Sequence, residues 1–207
     1  MKKILITFVL LIGIVFTKVS NAQDLRFGVK AGVNMSTMSF DEVYDNAKMK
    51  VGFQLGCLSE YSINSKLATE VDFLFALQGF KASATGTGYE RNVTHNAFYV
   101  NVPLMLKWYI VDNVSVAFGP QVGLVVSAKN KMTEKFTGES SKTTKTSVKD
   151  RYAAADFGLC IAADYYVTEN IFVGAGFNLG LTNLYKGDGY NIDSKNRVIT
   201  LNVGYSF

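Results

Sequence analysis

The chain is poor in the residues that usually carry chemistry. Its 207 residues include one His, one Trp, two Cys and two Pro. One histidine, two cysteines and scattered acids give no zinc-type or EF-hand spacing, so neither a metal nor a cofactor is expected. Past residue 22 no apolar run approaches 18 residues, which excludes a helical membrane span. A large basic excess is missing too, despite a formal net charge of +4. Three of the 21 basic residues (Lys2, Lys3, Lys18) lie within the first 22 positions, where there is no acid, which leaves 18 against 17 for the rest. Such a balance gives no electrostatic footprint for nucleic acid.

What is present begins with an export signal. Lys2 and Lys3 precede Ile4–Phe16, apolar except for Thr7 and Gly13, and Ser20-Asn21-Ala22 follows as a small-residue cleavage site. The expectation is a cleaved signal peptide over 1–22 and one folded domain over 23–207.

The rest alternates with period two, the mark of strands with one oily and one polar face. Eight such stretches follow, near 25–35, 49–57, 67–77, 98–108, 114–126, 156–165, 171–181 and 199–207. In the first, Leu25, Phe27, Val29, Ala31 and Val33 oppose Arg26, Gly28, Lys30, Gly32 and Asn34. Short connections (62–66, 111–113, 168–170) alternate with long polar ones (40–48, 81–95, 129–150, 185–196). An even number of long strands with short turns at one rim and long loops at the other predicts an all-β fold: an eight-stranded antiparallel up-and-down transmembrane β-barrel. A soluble lipocalin-like barrel would put the apolar face inward around a ligand. A polar face rich in Gly and in both charge signs argues instead for lipid outside. Tyr61, Trp108, Tyr109, Tyr165, Tyr166, Tyr205 and Phe207 gather near the short turns, as an interfacial girdle would.

Together, Phe27-Gly28-Val29-Lys30-Ala31-Gly32-Val33-Asn34, Val102-Pro103-Leu104, Phe118-Gly119-Pro120 and the closing Val203-Gly204-Tyr205-Ser206-Phe207 resemble the PorT-like outer-membrane β-barrels common in Bacteroidota, with OmpA/OmpX-like architecture. The resemblance implies a barrel in the cell outer membrane, with outer-membrane lipid as a partner. It also implies that Tyr205 and the terminal Phe207 form the signal read by the barrel-insertion machinery. A founding member of that group is linked to export of cell-surface proteases, but no residue here carries that role over.

Eight strands enclose an interior just wide enough for side chains. The strand phase sends Arg26, Lys30, Lys50 and Lys107 inward with Glu70, Asp72, Asp156 and Asp164, and such charges must be paired. A side-chain-plugged barrel with a structural or surface-ligand-binding role is therefore expected, with a small-solute porin as the alternative and an export accessory or rim enzyme as remoter ones. The porin-like reading would require conduction through that narrow lumen.

The remaining candidates are local. His95 near Glu90 and Ser83 has no specific spacing and reads as a solvated loop residue, so no enzyme is expected. Cys57 faces lipid and Cys160 the lumen four strands away, too far apart for a disulfide. Pro103 and Pro120 fall at one level of a hairpin and predict a bulge or bend. The segment 129–151 carries Lys129, Lys131, Lys135, Lys142, Lys145, Lys149 and Arg151 against Glu134, Glu139 and Asp150, and reads as a long mobile loop. Its ligand candidate is lipopolysaccharide or another surface polyanion.

Overall fold

The computed structural model describes residues 25–40, 48–86, 89–136, 141–185 and 194–207. The expected signal peptide lies outside the described residues, as do Glu139 and the segment 41–47. The strands are β1 (Leu25–Phe40), β2 (Lys48–Ser62), β3 (Leu67–Gln78), β4 (Phe80–Gly86), β5 (Tyr89–Val111), β6 (Val114–Phe136), β7 (Lys142–Ser147), β8 (Ala155–Tyr166), β9 (Ile171–Gly180) and β10 (Ser194–Ser206).

Eight of them close a ring. Antiparallel ladders run β1–β2–β3–β5–β6–β8–β9–β10, and β10 returns to β1 from Gly28–Ser206 to Phe40–Ser194. Closure leaves these strands no free edge, so their ladders are made between neighbouring strands rather than with water. Phe53, Leu55, Phe118, Ile161, Leu201 and Val203 are exposed on the outside, whereas Lys30, Asn34, Gln54, Asp72 and Asn101 are buried inside. A soluble barrel would reverse these faces. Among the described residues, no helix is long and apolar enough to cross a membrane.

Two strands are far longer than a bilayer requires. β5 and β6 have 23 residues each, where about 9–11 suffice to span. On β5 the outward residues are apolar from Trp108 to Phe98, then polar from Asn96 onward; on β6 the apolar run ends at Val126. Beyond this boundary β4 pairs with β5, and β7 with β6, forming a four-stranded extension above the long-loop rim.

Two expectations are corrected here. Segment 81–95 is mostly strand, because its polar residues pair with β6 and with each other. Segment 129–151 is not a structureless loop: it continues β6, returns as β7 and ends in a short 3-10 turn at Lys149–Arg151. The bulge or bend expected at Pro103 and Pro120 takes the form of an interrupted ladder without a register shift. Pairing between β5 and β6 lapses after Pro103–Gln121 and resumes in the same register at Leu106–Phe118; the register shifts instead at Phe98/Tyr99 and Tyr109/Val111. Pro103 withholds its ladder hydrogen bond without inserting an extra residue.

Gly79 joins β3 to β4 at φ +149°. Its N–H donates to Ser36 Oγ at 2.8 Å, and a Cβ there would strike the carbonyl of His95. Glycine is thus required on two counts, by backbone angle and by close approach.

Candidate functional site

The lumen holds two clusters of buried side chains, of different chemistry toward each end. Near the short-turn rim, inward positions of β1, β2, β3, β5 and β8 bring charges together. Lys30 Nζ donates to Glu70 Oε1 and Asp72 Oδ2, both at 2.8 Å. Lys107 Nζ lies 2.6 Å from Glu70 Oε2 and 3.1 Å from both Glu60 Oε2 and Asp164 Oδ2. It also donates to Tyr166 Oη at 3.0 Å, while Tyr109 Oη donates to Glu60 Oε1 at 2.6 Å. Glu70 bridges the two ammonium groups, one carboxylate oxygen to each.

An aromatic floor supports this cluster. Phe172, 1% exposed, packs with Leu58, Tyr166 and Tyr109. Lys30 and Lys107 stand 5.7 and 5.6 Å from its ring centroid, close enough for cation–π attraction. The ring fits because Gly204 lies beneath it: a Cβ at that position would occupy the ring's own space.

Toward the other rim the cluster is apolar and aromatic. Met38, Phe80, Tyr99, Val125, Tyr152 and Leu184 form a buried cluster. His95, fully buried, is stacked between Phe80 (5.2 Å between centroids, 22°) and Tyr152 (4.7 Å, 16°). Its Nδ1 lies 2.7 Å from Asn130 Oδ1, and its Nε2 has no hydrogen-bond partner. The expectation of a solvated loop histidine is corrected: His95 is an inward strand residue, and Glu90 is exposed on the other face.

Between the clusters lies a cavity of about 60 Å³ lined by Lys30, Gln54, Asp72, Asn101, Gln121 and Asn202, among others. Outside the charged cluster, at the short-turn mouth, a wider recess of about 410 Å³ is lined by Arg26, Glu60, Tyr109 and Asp112, with residues of the 62–65 turn.

The eight charges expected in one network are divided. Lys30, Glu70, Asp72, Lys107 and Asp164 meet in the cluster. Arg26 is exposed at the mouth. Lys50 and Asp156 are buried elsewhere, and Lys50 Nζ and Asp156 Oδ1 have no hydrogen-bond partner. Sequence reasoning missed Glu60, whose even position was the available signal. The cluster therefore holds two ammonium groups and four carboxylates rather than equal numbers. Tyr109 and Tyr166 also turn inward, against the girdle expectation, whereas Trp108, Tyr165, Tyr205 and Phe207 are exposed outside. Of the basic segment, Lys129, Lys131, Lys135, Lys142, Lys145, Lys149 and Arg151 are all exposed. Cys57 and Cys160 are free thiols, the first on the outer face. Among the described residues no three His, Cys, Asp or Glu side chains are grouped so as to hold a metal.

A closed eight-stranded ring with an apolar exterior and a charged interior defines a transmembrane β-barrel of the outer membrane. The family model for the outer membrane protein beta-barrel domain matches residues 21–186, and the chain belongs to that family. Among solved structures it is similar to a major outer membrane protein from Thermus thermophilus (13% identity, 88% of this chain and 99% of that one, TM-score 0.53). It is also similar to Ail, the attachment invasion locus protein of Yersinia pestis, in complex with the heparin analogue sucrose octasulfate (15%, 89% and 99%, TM-score 0.47). A third similar structure is Neisserial surface protein A (16%, 87% and 97%, TM-score 0.48). No curated protein sequence matches the chain.

Proposed function

We propose that this outer-membrane barrel is a plugged, non-catalytic envelope protein that acts through its extracellular hairpins, as a structural or surface-binding element. The observation that carries this reading is the pair of buried side-chain clusters, one ionic around Lys107 and one aromatic around His95, that occupy the lumen at two levels. An open channel needs a continuous polar path. Here a solute entering from the short-turn mouth meets Lys107 with its three carboxylates, and one entering from the other rim meets the His95 stack.

The proposal places the long-loop rim outside the cell, as in outer-membrane barrels generally. It also includes removal of residues 1–22, membership of the PorT-like group, and insertion guided by Tyr205 and Phe207. Planar bilayers test the central point. Purified protein should give no stepwise conductance; persistent unitary steps would replace this reading with a small-solute channel. N-terminal sequencing of protein taken from membranes should begin at Gln23, and a start at Met1 would refute the cleavage.

A further inference from the structure

Strand register assembles a charge pattern above the apolar band that the linear sequence conceals. In the extension, Lys81 of β4 pairs with Thr94 of β5, Thr94 with Lys131 of β6, and Lys131 with Lys145 of β7. Directly paired residues share a face. His95 and Asn130 point inward to each other, so their neighbours Thr94 and Lys131 point outward, and Lys81 and Lys145 with them. Lys81, Lys131 and Lys145 are exposed. Lys129 follows on the same outward face, paired with Asn96 and Ser147.

The acids of this sheet lie away from the row, Glu134 on the other face and Glu90 on the same face but two residue pairs farther out. Glu134 faces the opposite side, 3.7 Å from Arg91 and paired across the strands with Lys142. Glu90 lies farther out, opposite Lys135, and accepts from Asn92. Among the described residues no carboxylate forms an ion pair with Lys81, Lys129, Lys131 or Lys145. Like charges set directly opposite, as Lys131 and Lys145 are, destabilise a strand pair. An anion held between them would reverse that sign.

Position identifies the anion. Lys129 is the first outward residue beyond Ser127, where the apolar run of β6 has just ended, and Lys131 is the next. Two residues of a strand tilted near 40° rise about 5 Å along the membrane normal. The lysine row therefore starts about 5 Å and continues to about 10 Å above the hydrocarbon edge, from within the polar headgroup layer to just beyond it. Long lysine stems also let the ammonium groups reach downward.

Building on the surface-binding reading above, we propose that this outward face binds phosphate groups on lipid headgroups of the outer leaflet. Lys131 and Lys145 form the central pair, with Lys81 and Lys129 flanking it. The face holds lipid at the barrel's perimeter and leaves the lumen uninvolved.

The test is native mass spectrometry of the purified full barrel titrated with diphosphoryl lipid A, with fully dephosphorylated lipid A in parallel. The proposal expects diphosphoryl lipid A to bind and the dephosphorylated form not to. K131Q/K145Q should weaken binding about thirtyfold, and K81Q should weaken it about fivefold. K142Q, on the other face of the same hairpin, should leave binding unchanged. Heat-modifiability on gels confirms that each variant is folded; K81Q lies on a different hairpin and keeps the test decisive if the double variant does not fold. Equal binding of the two lipids, or undiminished binding by K131Q/K145Q or K81Q, would overturn the proposal. Displacement by inorganic pyrophosphate at matched phosphate concentration would overturn it too, because the site would then take a free anion. These outcomes are separate from bilayer conductance, which decides the plugged-barrel reading.

Discussion

The two side-chain clusters that occupy the lumen do so with opposite physics. The charged one withdraws two ammonium groups and four carboxylates from water, a cost of several kcal/mol per ion that only dense mutual pairing offsets. Its geometry is correspondingly demanding, with Lys107 held by three carboxylates and a tyrosine. The aromatic cluster has no ion pair at its centre among the described residues: ring faces stack and apolar side chains fill the remainder. Charge gives a closure that fails sharply when one partner is lost, whereas stacked rings degrade by degrees. The charged closure lies level with outward-facing Leu106 and Trp108, inside the apolar band, where water is scarce. The aromatic one lies at and beyond its upper edge.

The charged closure should accordingly show the largest single effect. Lys107→Met removes the cation shared by Glu60, Glu70 and Asp164 and leaves one ammonium for four carboxylates. The expected loss is about 3–5 kcal/mol of folding stability, read as a lowered urea midpoint for the barrel in detergent micelles. A midpoint within error of wild type would mean that the pairing contributes nothing. Next comes Tyr152→Ala in the aromatic closure, at about 3 kcal/mol from lost ring burial. Neither change alone should produce conductance, because the other closure still stands, but Lys107→Met combined with Tyr152→Ala should. A current from either single variant would show that one closure does all the sealing.

Glu70→Gln separates the two signs of charge within the cluster. Carboxylates outnumber ammonium groups there, so losing one acid relieves repulsion as well as breaking two contacts. Its effect should be smaller than that of Lys107→Met, about 1–2 kcal/mol, by the same urea measurement. A loss equal to that of Lys107→Met would refute the asymmetry and imply a cluster nearer to charge balance.

How much of this could be read in the sequence depended on where the bilayer enforces alternation. Within the apolar band, period two was unambiguous, and the phase that buried Lys30, Glu70, Asp72, Lys107 and Asp164 follows from outward neighbours such as Val29, Phe73 and Leu106. Glu60 escapes the alternation because the clear period-two stretch of the second strand stops at Cys57, although Ser59 and Tyr61 continue its outer face. Tyr109 and Tyr166 adjoin Trp108 and Tyr165 in sequence, yet adjacent residues of a strand face opposite ways. Above the band both faces are polar or mixed, so Glu90–Thr94 and Lys129–Lys135 carry no periodic contrast and read as loops. His95 is hidden by the same effect, since its burial comes from Phe80 and Tyr152, distant partners in their own segments. The lysine row is less legible still: it depends on the register of three ladders, and nothing local marks Lys81 as a companion of Lys145.

His95→Phe gives the smallest expected effect and the finest test of what the aromatic closure uses. The imidazole contributes a flat ring between Phe80 and Tyr152, one contact to Asn130 Oδ1, and a buried Nε2 without a partner. Phenylalanine preserves the stack. It abolishes the Asn130 contact, worth about 1 kcal/mol, but also removes a polar atom that is costly to bury unpaired. The two terms oppose each other, so the urea midpoint should correspond to a change within about 1 kcal/mol, and the barrel should remain non-conducting. A loss of several kcal/mol would show that the polar contact, rather than ring stacking, holds this end shut. The contrast between an ionic and an aromatic closure would then narrow to two kinds of polar lock.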